Sequence, residues 1–136
     1  MLDASALLRL YLADGPLPPT LEAVMERGCR SEGVLLILDL CWLEMISVPG
    51  KQITRTLLSE EEAQALLSEL RQLPLRTIAT ADLCPALLQR AQQQRLSVYD
   101  ATDLTLALRH GAVLLTADER LAAAARRCGC APPESV

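Results

Sequence analysis

"SVYDATDLTLALRHGAVLLTADERL", residues 97–121, decides how this chain is built. Ser97 and Asp100 stand in capping-box spacing, so a helix opens there, and Gly111 closes it. "AVLLT", 112–116, is a bounded apolar run and reads as a strand; residues 118–128 read as another helix. Gly111 forces a tight return, so the first of these helices runs antiparallel to the strand that follows. Its N-terminus, with Asp100, therefore lies near the strand's carboxyl end, at the same edge as Asp118.

Working outward, "GVLLILDL", 33–40, reads as a buried strand and "LRTIAT", 75–80, as a shorter one. Helical patterns cover 5–13, 20–30, 58–73 and 82–94. The third carries a capping box at Ser59 and Glu62, with Leu66, Leu67 and Leu70 on one face. Pro49-Gly50 should break any helix that begins after the strand 33–40. Pro16, Pro18 and Pro19 mark a loop, and "APPESV" reads as a chain end. Strands alternate with helices, which predicts an α/β domain with a mainly parallel sheet. The 136 residues suit one domain, 1–136.

Composition removes several function classes. Hydrophobic residues make up 51% of the chain, yet the aromatics are only Tyr11, Trp42 and Tyr99. The core must be Leu, Ala, Val and Ile, and modules that stack RNA bases on aromatic rows are disfavoured. A net charge of −4 argues against a protein that grips nucleic acid by charge over its whole surface. Five cysteines (Cys29, Cys41, Cys84, Cys128, Cys130) are an odd number, which points to free thiols and a reducing cytoplasm. Cys128-Gly-Cys130 has no second half to complete a zinc site. The apolar start lacks a basic region and is interrupted by Asp3, so it does not read as a signal peptide, and no run is long enough to span a bilayer. His110, the only histidine, leaves a Ser-His-Asp triad without support, and "VPGKQ" at 48–52 is not a phosphate loop.

The carboxylates carry the chemical signal. In an α/β fold, ligands sit outside the carboxyl ends of the strands. Asp3 follows the first short apolar segment, Glu44 lies just past the strand 33–40, and Asp118 comes two residues after the strand 112–116. With Asp100, four acids from four segments meet at one edge. Each has a plainer alternative: Asp3 and Asp118 as helix N-caps, Asp100 as a capping-box residue, Glu44 as a surface charge. Glu44 has no capping geometry. Asp103 lies one turn from Asp100, as an outer ligand or a solvated flank. Asp39 reads as a strand-end polar group, outside the site. Uncompensated, the four charges would repel strongly. Oxygen donors without His or Cys favour Mg²⁺ or Mn²⁺ over zinc. One or two such ions would suit the cleavage of a phosphodiester.

"LDASALLRLYL" (2–12), "LEMI" (43–46), "LSVYDATDLTLAL" (96–108) and "HGAVLLTADERL" (110–121) together resemble the PIN-domain family, most closely its VapC-like toxin ribonucleases. The resemblance implies a three-layer α/β/α sandwich around a mainly parallel sheet. It implies a Mg²⁺- or Mn²⁺-dependent endoribonuclease whose acids match Asp3, Glu44, Asp100 and Asp118. The small hydroxyl after the first aspartate matches Ser5, and the Thr of "TAD" matches Thr116; both would support the ligands from behind. Such proteins usually form homodimers and are silenced by a small DNA-binding antitoxin. Arg9, Lys51, Arg55 and Arg120 are the candidates for RNA contact. The alternative is a PIN-like interaction module that keeps the fold and cleaves nothing.

Overall fold

The computed structural model describes residues 1–133; the last part of the "APPESV" tail, residues 134–136, lies outside the described residues. Helix α1 spans Ala4–Arg9 and α2 spans Leu21–Cys29. Strand β1, Leu35–Leu38, runs straight into α3, Asp39–Thr54, and α4 is Glu60–Gln72. Strand β2, Leu75–Ile78, is followed by a 3₁₀ turn over Thr80–Leu83 and by α5, Cys84–Gln94. Helices α6, Val98–Arg109, and α7, Glu119–Cys128, complete the order.

β1 and β2 pair in parallel, with Leu35 opposite Leu75 and Leu38 opposite Ile78. The sheet extends on the other side of β1 through single contacts. The Leu2 amide donates to the Leu36 carbonyl at 2.9 Å, and the Leu115 amide donates to the Met1 carbonyl at 2.9 Å. Leu2 and Leu115 form a parallel bridge. The order across the sheet is therefore β2, β1, Leu2, Leu115. The expected strand 112–116 is reduced to this bridge. Asp3 already caps α1 directly after Leu2, and the Leu114 amide turns away to the Cys130 carbonyl at 2.7 Å, so no ladder extends beyond the bridge.

Side chains alternate across a strand, and here each face finds its own core. Leu35 and Ile37 pack with Leu2, Leu7, Met25, Met45, Leu70 and Leu115. Leu36 and Leu38 pack with Met1, Leu83, Leu104, Leu114, Leu121 and Ala125. Helices α1 to α4 thus cover one face and α5 to α7 the other, which is the α/β/α sandwich. Among the described helices, none is long and apolar enough to cross a membrane.

Other boundaries moved for local reasons. β1 is shorter than 33–40 because Asp39 takes its own backbone into α3, its Oδ1 accepting from the Leu40 amide at 2.8 Å and the Thr80 amide at 3.2 Å. Asp39 is thus a helix-start residue rather than the end of a strand. Pro49 and Gly50 do not break α3, which runs through both. Proline in a helix interior costs roughly 3 kcal/mol. Burial of Met45 and Pro49, where α3 packs on α1 and α4, offsets that. Helix α1 stops at Arg9 instead of continuing to residue 13. The Ser59–Glu62 capping box is complete. The Ser97–Asp100 box is half made: Ser97 caps the Asp100 amide at 3.0 Å, but the Asp100 carboxylate accepts from the Ser97 hydroxyl rather than its amide. Gly111 adopts φ +58° and ends the helix as expected.

Candidate active site

Asp3 is 6% exposed and N-caps α1, with Oδ1 accepting from the Ala6 amide at 2.8 Å and from the Ser5 hydroxyl at 2.7 Å. Its Oδ2 accepts a short bond from the Thr116 hydroxyl. Thr116 in turn accepts from the Asp118 amide at 3.0 Å, and Ser5 accepts from the Ala117 amide at 2.9 Å. The two hydroxyls lie 3.2 Å apart. Ser5 and Thr116 thus fasten the start of α1 to the turn that leads into α7, with Asp3 at the knot. Both residues named from sequence as supports fall against Asp3.

Asp118 N-caps α7, accepting from the Arg120 and Leu121 amides at 2.8 and 3.0 Å. Asp100 lies in the first turn of α6. Three of the acids therefore sit at positive helix ends, where backbone N–H groups partly offset their charge. Asp103 follows one turn along α6, and Glu44 comes in the second turn of α3, one turn after the buried Cys41.

Electrostatic perturbation shows which acids feel one another. Burial pushes the Asp3 carboxyl above its usual range; the hydrogen bonds from Thr116, Ala6 and Ser5 pull it back, and Asp118 pushes it up again. Glu44 lies at the surface, yet desolvation of its carboxyl raises it, followed by repulsion from Asp3 and Asp100. Asp103 is raised well above the carboxylate range, first by burial, then by Asp3, Glu44 and Asp100; only the Met1 amino group acts the other way. The Cys41 thiol is pushed up by burial and then by Asp103, Asp3 and Glu44, so it stays protonated. Asp3, Glu44, Asp100 and Asp103 thus share one field, and Asp118 joins it through Asp3. Asp103 is more central than its sequence position suggested. The signal was its spacing of three from Asp100, which puts both on one helical face.

The residues fit a hard cation by donor chemistry. Every group in the field is a carboxylate, and among the described residues the only ion pairs are Arg9–Asp14 at 3.4 Å and Arg30–Glu26 at 3.6 Å, neither in the cluster. Repulsion of this kind is relieved by a divalent ion. The acids do not form a ready-made cage: among the described residues, no group of three Asp, Glu, His or Cys is gathered closely enough to hold an ion. Asp39 lies apart from the field and is held below its usual range, chiefly by the Thr80 hydroxyl. Among the basic candidates, Arg9 is tied to Asp14, Lys51 and Arg55 are exposed at the end of α3, and Arg120 opens α7 beside Asp118.

A family model for the PIN domain matches residues 1–127. Ribonuclease VapC3 of Pyrobaculum aerophilum is 32% identical over 124 residues, an overlap that covers 90% of this chain and 91% of that protein. The crystal structure of PAE2754 from the same organism is similar with a TM-score of 0.69 at 24% identity, covering 90% of this chain and 76% of that one. That last likeness bears on the fold alone.

Proposed function

Because the chain belongs to the PIN-domain family, we propose that it is a Mg²⁺- or Mn²⁺-dependent endoribonuclease, the toxin of a toxin–antitoxin pair, working in the cytoplasm. The observation that carries the reading is a field of carboxylates from α1, α3 and α6, joined by Asp118, with no basic side chain among the described residues ion-paired to it. The name of the relative VapC3 supports RNA as the substrate.

Asp3, Glu44, Asp100 and Asp118 would hold one or two ions, with Asp103 beside them. When bound, such ions supply the positive charge that makes water a better nucleophile and steadies the leaving oxygen of a phosphodiester. The chain's own residues set the frame. Thr116 and Ser5 fix the rotamer of Asp3, leaving part of its Oδ2 free to ligate. The α7 amides hold Asp118 through one oxygen, Oδ1, so its other oxygen can face the site. The thiol of Cys41, kept neutral, adds no charge to the wall behind Glu44. No histidine base is needed, and the single His110 sits at the far end of α6. A homodimer and a small DNA-binding antitoxin belong to the same proposal.

The carboxylates' spread favours one rival, a PIN-like module that cleaves nothing. The two are separated by incubating a mixed, end-labelled RNA pool with Mg²⁺ or Mn²⁺, using wild type, Asp100→Asn and an EDTA control. Cleavage that needs the ion and falls at least about 100-fold in the variant supports the nuclease. A folded protein that neither cuts RNA nor binds Mn²⁺ is the silent module.

A further inference from the structure

We infer that the groove between the end of α5 and α7 is a track for the phosphates of single-stranded RNA, contacted by Arg95, Arg120 and Arg127. This rests on the ribonuclease reading and gives the substrate a direction across the surface. The groove has a volume of about 480 Å³; among the described residues, three that line it are arginines and none is acidic. On a chain of net charge −4, that is a local reversal of sign.

The geometry organises the three charges. Arg120, Ala123 and Arg127 follow i, i+3, i+7 spacing, one stripe down α7. The two arginines are separated by two turns, about 10.5 Å along the axis. Arg120 Nη2 donates to the Arg95 carbonyl at 3.5 Å, and Arg127 donates from Nε and Nη2 to Gln94 Oε1 at 3.4 and 3.3 Å. These partners are neutral, so they steady the guanidiniums without cancelling their charge, and other N–H donors are left over for an anion. Arg95 itself has φ +54°, a left-handed conformation that favours glycine and strains an arginine. The residue at that strained turn carries a charge into the groove.

One end of the groove adjoins the acidic edge. Arg120 is two residues past Asp118, and Arg95 precedes Asp100 by five. Arg127 lies two turns farther away. A strand whose phosphodiester sits at the acids would lay the following phosphates on Arg120 and then Arg127. No aromatic side chain lines the groove, so it grips backbone and not bases.

The test is fluorescence anisotropy with labelled single-stranded RNA and Mg²⁺, using the full chain carrying Asp100→Asn to block cleavage, across a series of salt concentrations. Adding Arg95→Ala and Arg127→Ala should weaken binding equally for RNAs of unrelated sequence. It should also flatten the plot of log affinity against log salt by about 1.4, at roughly 0.7 for each phosphate no longer neutralised. Arg71→Ala, on α4, should leave the slope unchanged. A slope unmoved by the double variant overturns the groove, as does a slope carried wholly by Lys51 and Arg55. If the parent chain binds no RNA at all, the ribonuclease reading falls first and takes the groove with it.

Discussion

Replacing Thr116 by valine keeps its shape and removes one hydroxyl, which makes three contacts. It donates to Asp3 Oδ2, accepts from the Asp118 amide at 3.0 Å and lies 3.2 Å from the Ser5 hydroxyl. Thr116 is 8% exposed, so water replaces these partners poorly. A hydrogen bond to a charged group is worth about 1.5–3 kcal/mol, and an orphaned buried donor costs about 1–3 kcal/mol. The Asp118 amide is near the surface and recovers part of its loss, which brings the sum to about 3 kcal/mol. At roughly 3–5 °C per kcal/mol for a chain of this size, Tm should fall by about 10 °C. Urea unfolding of the metal-free protein should show a lower midpoint with an unchanged slope. The variant should also raise the pKa of Asp3, read by carboxyl chemical shifts, because the Thr116 hydroxyl is the strongest influence holding it down. Thr116→Ser, which keeps the hydroxyl, should restore the pKa and most of the stability. If Thr116→Val unfolds within about 0.5 kcal/mol of wild type and leaves Asp3 unmoved, the knot does not hold Asp3 as described.

Asp103→Asn should stabilise the metal-free protein at pH about 8 while weakening Mn²⁺ binding. The Asp103 pKa is higher folded than unfolded, so the native state binds more protons within that window. Stability of the wild type therefore falls as pH rises from the ordinary carboxylate range through the raised value, and melting curves of the asparagine variant should lack that fall. Gly28→Ala should cost about 1–3 kcal/mol in chemical unfolding. A Cβ there would stand 2.4–2.7 Å from the side-chain carbons of Leu35, the first residue of β1. A variant as stable as wild type would mean that α2 rides more loosely on the sheet than its packing indicates.

Much of this architecture was legible in short-range chemistry. Ser59 and Glu62 announced α4, and Gly111 announced the return after α6. "LLIL" without alternation was the mark of a strand buried on both faces, and its four residues divide between two cores. What local rules could not weigh was tertiary packing. Pro49 obeys no helix propensity, yet it is buried and α3 runs through it, so the helix that carries Glu44 extends to Thr54. The strand at 112–116 shrank to one bridge because Asp3 turns its partner into α1 and the Leu114 amide bonds to Cys130, facts about pairing rather than about Leu114 and Leu115. In the site, the caps at Asp3 and Asp118 could be read from spacing. The repulsion that Asp103 meets from Asp3 and Glu44 depends on how distant segments pack, which its own sequence does not state. Arg120 and Arg127 share a visible heptad spacing, whereas Arg95 joins them only through the turn between α5 and α6.

The knot at Asp3 joins residues at opposite ends of the described chain. Thr116 is 113 positions from Asp3, and the sheet contact beside it joins Leu2 to Leu115. Contacts of such sequence separation close late, since the intervening loop must be ordered first. During synthesis the N-terminal aspartate emerges long before its partner. Until the segment 115–118 has left the ribosome, Asp3 has no Thr116 to orient it, Asp118 does not exist, and the groove along α7 is unbuilt. The acidic edge is thus completed only after the turn at 116–118 has been made, the last in chain order of the segments that form it.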